Sequence, residues 1–128
     1  MIKKTCTTFF LALNLLFASS LVYSAQVWDL YNFKVQPGKA PAVLKAFNDL
    51  QTSEAGSNRI ASVHLQQSVF GGSSGTTHSI VALYPSRAEF ERARMALAGT
   101  KAWRKFQAAM SANSEAINNS AMETLMGW

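Results

Sequence analysis

The sequence predicts an α+β fold in which a four-stranded antiparallel sheet carries helices on one face, and three observations lead there. Strand-like alternation breaks at Pro37-Gly38-Lys39 and gives way to helical spacing. A second strand-to-helix boundary recurs at Pro85-Ser86-Arg87. Between the two, a glycine-rich link, Gly71 to Gly75, joins a pair of alternating segments as a hairpin.

From Gln26 to Gln36, Val27, Tyr31, Phe33 and Val35 fall on one parity and Trp28, Leu30, Asn32 and Lys34 on the other, the period-two pattern of a strand. Large apolar groups on both parities predict cover on both faces for part of its length. Pro37 lacks a backbone donor and Gly38 permits the turn, so the strand ends there. Beyond it, Val43, Leu44, Phe47 and Leu50 recur at three- and four-residue steps with alanines between them, which is helical spacing. Pro41 sits in the first turn, where its missing donor has no partner to lose. The helix is expected to stop before Gly56, in loop chemistry.

Residues 59–70 place Ala61, Val63, Leu65 and Val69 on one face of a second strand and Ser62, His64, Gln66 and Ser68 on the other. The returning strand is Thr76 to Tyr84. Ser86 followed by Glu89 is the reciprocal capping pattern of a helix start, with Phe90, Ala93 and Leu97 as the buried stripe and Gly99 as the stop. Thr100 caps a further helix carrying Trp103, Phe106, Ala109 and Met110. A closing strand is read over residues 118–128, with Met122, Thr124, Met126 and Trp128 alternating against Ala121, Glu123 and Leu125. Two strand-helix-strand units around one hairpin give the βαββαβ, ferredoxin-like arrangement with one sheet face left bare.

The first 24 residues are set apart from this domain. Lys3 and Lys4, an apolar run from Phe9 to Val22 broken by Asn14 and serines, and a small-residue end at Ser24 follow the order of a secretory signal peptide, 1–24, with the domain at 25–128. The run is too short for a membrane span, which needs roughly 20 apolar residues, so no stable membrane insertion is expected after cleavage. The leader's style is bacterial, and a periplasmic or secreted location follows. Removing it takes two of the twelve Lys plus Arg and none of the seven Asp plus Glu, leaving ten against seven, or +3. Without a basic run, nucleic acid is not an expected partner. The one cysteine, Cys6, lies in the leader, so the domain has no disulfide, thiolate nucleophile or cysteine metal ligand.

The strand ending in Phe33-Lys34-Val35-Gln36 before Pro-Gly-Lys, the apolar helix after it, the segment HSIVALYPSRAEFERAR and the segment GTKAWRKF resemble the dimeric alpha/beta barrel superfamily, most closely its NIPSNAP-like members. The resemblance covers nearly all of the domain. It implies a homodimer in which two open sheet faces meet as a barrel, with a cavity between sheet and helices. Relatives include monooxygenase-like enzymes acting on aromatic polyketides and haem-degrading proteins, so the fold does not fix the function. The haem-degrading set of Asn, Trp and His finds only Asn32, Trp103 and His78 as rough counterparts. Ala82 stands where a tryptophan of that group is expected, so that activity is not carried over.

Five residues form the candidate ligand site: His64, His78, Tyr84, Gln66 and Trp28, gathered on the open sheet face. His64 and His78 on neighbouring strands could share one wall, where a pair could shuttle protons or bind a metal. With no third ligand in sight, ordinary hydrogen-bonding histidines are the favoured reading, and neither a metal nor a cofactor is expected. The open face is expected to present Trp28, Ile80 and Tyr84, which a second copy would cover. Asp29, a strand carboxylate beside Trp28 and Tyr31, is either a base with a raised pKa or, as favoured, a partner of Arg59 or Lys34. Two functions are carried forward: binding of a small apolar or amphipathic molecule by an exported dimer, or a cofactor-free monooxygenase-like reaction on an aromatic substrate.

Overall fold

The computed structural model describes residues 25–125. Residues 1–24, read as a signal peptide, and residues 126–128, read as the end of the closing strand, lie outside the described residues. The chain runs β1 (Val27–Val35), α1 (Ala40–Thr52), α2 (Glu54–Ser57), β2 (Ser62–Gln67), β3 (His78–Tyr84), α3 (Arg87–Leu97), α4 (Lys101–Asn113) and β4 (Ser114–Glu123), with a 3₁₀ turn at Gly72–Ser74 in the β2–β3 link. All three strand pairings are antiparallel, and the order across the sheet is β2-β3-β1-β4. This is the ferredoxin-like fold expected, with β1 and β3 at the centre.

The helix starts follow their local chemistry. Gly38, at φ 76°, takes the left-handed conformation that the turn before α1 requires. Pro41 lies in the first turn of α1. The Ser86 hydroxyl accepts from the Glu89 amide at 3.2 Å, and the Thr100 hydroxyl accepts from the Trp103 amide at 3.1 Å, so both caps form. The Ser86 cap is one-sided, because the Glu89 carboxylate pairs with Arg92 one turn on.

Several boundaries differ from the expectation. The chain after α1 is not loop but the short helix α2, capped by Ser53, whose hydroxyl accepts from Gly56 at 3.1 Å. Gly56 is buried, and a Cβ there would lie 1.9 Å from the Leu50 carbonyl oxygen, so only glycine allows α2 to pack this closely on α1. β4 begins four residues earlier than residue 118, directly at the end of α4. The buried Ser114 hydroxyl donates to the Met110 carbonyl at 2.7 Å, satisfying a helix-end acceptor that a loop would otherwise serve. β2 is also shorter than read. Val69 and Phe70 lie beyond it and are 104% and 90% exposed, so Val69 joins no strand face.

The core lies between the sheet and the helices in two clusters. Phe33, wholly buried, packs with Val43, Ala46 and Leu50 of α1, Leu97 of α3, and Phe106 and Met110 of α4. At the other end of β1, Val27 packs with Ala82 and Tyr84 of β3 and Ala93 of α3. Each fully buried aliphatic or phenyl side chain contributes about 1.5–3 kcal/mol of hydrophobic burial. Asp29 lies on β1 between the two clusters, opposite the small Ala82.

Candidate functional site, a cavity between sheet and helices

Strand register decides what each face carries. In an antiparallel pair, residues directly opposite share a face. Val27, Asp29, Tyr31 and Phe33 stand opposite Tyr84, Ala82, Ile80 and His78, and all eight therefore face the helices. Trp28, Leu30 and Asn32 stand opposite Leu83, Val81 and Ser79, and these in turn oppose Ser62, His64 and Gln66, so this second set forms the open face.

The candidate residues are thereby divided between the faces. His64, Gln66 and Trp28 lie on the open face, whereas His78 and Tyr84 lie beneath the helices. The two histidines cannot share a wall, and Ile80 and Tyr84 are not exposed on the bare face. The β2–β3 link runs from residue 68 to 77, too long to set the register, and a slip of one residue moves every side chain to the other face. The His64 Nε2 lies 2.8 Å from the Ser62 hydroxyl in an exposed setting. The His78 ring stacks on Phe33, with centroids 6.0 Å apart, and its Nδ1 lies 2.9 Å from the Thr77 hydroxyl. Tyr84 is buried edge-on to Phe90, with ring centroids 5.5 Å apart. The Trp28 indole donates to the Thr124 hydroxyl at 3.2 Å. Among the described residues, no three His, Cys, Asp or Glu side chains are grouped to hold a metal ion.

A polar row crosses the middle of the open face. The Ser79 hydroxyl donates to Asn32 Oδ1 at 2.5 Å, and Asn32 Nδ2 donates to Asn118 Oδ1 at 2.7 Å. Asn32 is thus on the opposite side of the sheet from Trp103, so the haem-degrading set does not assemble.

On the helix side, the gap between the two core clusters opens as a cavity of about 310 Å³. Its apolar walls are Tyr31, Ile80, Trp103 and Phe106, and its polar groups include Asp29, Arg59, Gln107 and Asn119. It exists because Asp29 and Ala82 face each other where the flanking pairs bring larger apolar groups together. Trp103 stacks on Phe106 at 5.4 Å between ring centroids, which fixes an aromatic plane on the α4 side of the cavity.

Asp29 is half-buried at this wall, and desolvation raises its pKa from 3.8 against the smaller opposing fields of Arg94 and Arg59. Of the two partners expected for it, Arg59 acts on it through space, while Lys34 belongs to the other parity of β1. Neither forms an ion pair with it within 4.0 Å. Burial also raises the pKa of Tyr84, with the Arg59 guanidinium acting in the opposite direction.

From the sequence, Arg59 reads only as a partner for Asp29, and Trp103 only as a core or haem-set residue. Gln107 and Asn119 carried no signal of their own, because their sites are formed by α4 crossing over β1 and β4. Arg59 reaches the cavity through the loop after α2, where its amide donates to the Gly56 carbonyl at 3.4 Å.

No protein-family model matches the chain, and no curated protein matches it in sequence. Solved structures match it in fold. A candidate antibiotic biosynthesis monooxygenase from Caulobacter crescentus CB15 superposes with a TM-score of 0.61 at 21% identity, over 81% of this chain and 93% of its own. A NIPSNAP family protein of unknown function from Agrobacterium tumefaciens gives 0.57 at 18% identity, over 80% and 90%. A dimeric ferredoxin-like protein of unknown function from Thermobifida fusca gives 0.53 at 10% identity, over 80% and 92%. The chain shares the ferredoxin-like fold of these proteins, as the resemblance to NIPSNAP-like barrels led one to expect.

Proposed function

We propose that the protein is an exported homodimer that binds a small apolar or amphipathic molecule in the cavity between its sheet and helices. The cavity itself carries this reading, since aromatic and aliphatic walls with several convergent polar groups suit a small amphipathic molecule. Export rests on the charged, apolar and small-residue order of the first 24 residues.

The dimer rests on the open face. Trp28 is 39% and Met122 53% exposed there, and Leu30 and Leu83 lie beside them. A second copy meeting this face would remove that apolar surface from water and enclose the Asn32, Ser79 and Asn118 row. The Thermobifida fusca protein of the same fold is dimeric, which supports a dimer here.

Quenching of Trp103 fluorescence by 2-naphthol tests the binding reading, with Trp28→Phe and Trp128→Phe removing the other indoles. Saturable quenching that Ala82→Leu abolishes by filling the cavity supports it. Quenching that is linear and unaffected by Ala82→Leu overturns it.

A second reading is favoured by Asp29. Its position in the cavity and its raised pKa suit it to act as a base toward a phenol, in the manner of a cofactor-free oxygenase. Asp29 would take the proton, the electron-rich ring would add to O₂, and loss of water would leave the quinone. The candidate monooxygenase among the fold relatives lends it support. Oxygen uptake with a dihydroxyanthrone that Asp29→Asn abolishes would establish this reading, and no uptake above buffer would leave binding alone.

A further inference from the structure

Arg59 is half-buried at the cavity wall, yet its guanidinium forms no ion pair among the described residues. The ion pairs among the described residues join Lys45 and Lys105 to Asp49, Arg87 to Glu123 and Arg92 to Glu89. A hydrogen bond from Nη2 to Gln51 Oε1 at 2.8 Å holds Arg59 on one side. Its Nε is shut off from solvent and meets no acceptor. A guanidinium has five N–H donors in a fixed fork and no means of losing its charge, so a site that desolvates it without a paired counterion is incomplete.

The neighbouring groups do not complete it. Gln51 is neutral and already occupied. The Tyr84 hydroxyl accepts a hydrogen bond from the guanidinium but brings no charge to balance it. Asp29 lies within the field of Arg59 without touching it, and burial raises its pKa. Arg94 adds a second positive field on the same carboxylate while its guanidinium lies 5.3 Å from the Phe90 ring centroid. Around Asp29 the cations outnumber the acid by two to one.

We infer that the molecule bound in the cavity is a planar aromatic acid whose ionised oxygen, a carboxylate or phenolate, pairs with Arg59 while its ring lies against Trp103 and Tyr31. This rests on the binding reading above and names the chemical class of its ligand. The fork of Arg59 matches the two oxygens of a carboxylate, and the stacked pair of Trp103 and Phe106 supplies a flat apolar surface across the cavity. An anion there offsets the charge of the guanidinium, and a neutral ligand of the same shape leaves that charge without a counterion.

Calorimetric titration of the full mature chain with 2-naphthoate and with 2-naphthamide, its uncharged isostere, tests the inference at neutral pH. The acid is expected to bind about tenfold or more tightly than the amide, the usual scale for a charge-assisted hydrogen bond. Arg59→Gln is expected to bring the acid down to the affinity of the amide, and Arg59→Lys to keep part of the preference. Equal binding of the two probes by the wild type overturns the inference while leaving the cavity reading intact, as does a preference that survives in Arg59→Gln. Binding of neither probe by the wild type removes the cavity reading and this inference with it. Should Arg59→Gln not fold, the side-chain NMR resonances of Arg59 in the wild type decide between the same outcomes. They are expected to shift with naphthoate and stay with naphthamide, and the opposite pattern overturns the pairing.

Discussion

The two faces of the sheet are built from the same strands, yet they solve different problems. On the helix side, β1 places Val27 and Phe33 into two packed clusters and leaves a gap at Asp29, where Ala82 is too small to fill the space opposite. On the open side, the same strand presents Trp28, Leu30 and Asn32 to whatever covers the sheet, and a hydrogen-bonded row from Ser79 through Asn32 to Asn118 crosses its middle. One face carries a partly charged cavity of a size for a small molecule. The other is broad and mixed in character. Under the proposed function, ligand binding and assembly are separated by the thickness of a single sheet.

Truncating the helix-side core is expected to have the largest effect. Phe33→Ala empties a wholly buried site between α1 and α4 and is expected to cost about 3–5 kcal/mol in denaturant unfolding. A cost under about 1 kcal/mol would mean that the clusters are not packed as described. The open-face counterpart is Leu30→Lys. It places a charge in the middle of the face opposite Val81 and is expected to convert a dimer into a folded monomer in sedimentation at micromolar concentration. A wild type that is already monomeric, or a variant that stays dimeric, would detach the open face from assembly.

The smallest effect is expected at the gap itself. Burial raises the pKa of Asp29 in the folded chain, so as pH rises from about 3 the unfolded chain releases this proton first and the folded state loses stability. Asp29→Asn should therefore melt with the wild type near pH 3 and a few degrees above it at pH 7 to 8. The gain is small because Asp29 is only half-buried and water screens part of the penalty. A variant less stable than the wild type at pH 7 would mean that attraction to Arg59 and Arg94 outweighs desolvation.

What the sequence made legible follows from how local each signal is. The change from two-residue to helical spacing at Pro37-Gly38, and the caps at Ser86 and Thr100, are carried by neighbouring residues, and these elements were readable in order. Asp29 was readable as an unusual strand carboxylate among aromatics. The face of His78 and Tyr84 was not, because it depends on the register across a ten-residue link, which neither turn chemistry nor alternation specifies. Arg59 also escaped as a cavity residue. Its place is set by the close packing of Gly56 on Leu50, a contact that no spacing rule announces.

The central claim is that the ligand enters on the helix side and not on the open face, and the two indoles report on the two places. Trp103 lines the cavity, and Trp28 stands on the opposite side of the sheet. A ¹H–¹⁵N spectrum of the protein titrated with 2-naphthoate measures both at once. The account predicts that the Trp103 indole and the amides of Asp29, Ala82 and Asn119 shift in a saturable way while the Trp28 indole and the His64 and Gln66 amides stay in place. Shifts confined to Trp28, His64 and Gln66 would put the ligand on the open face and contradict it.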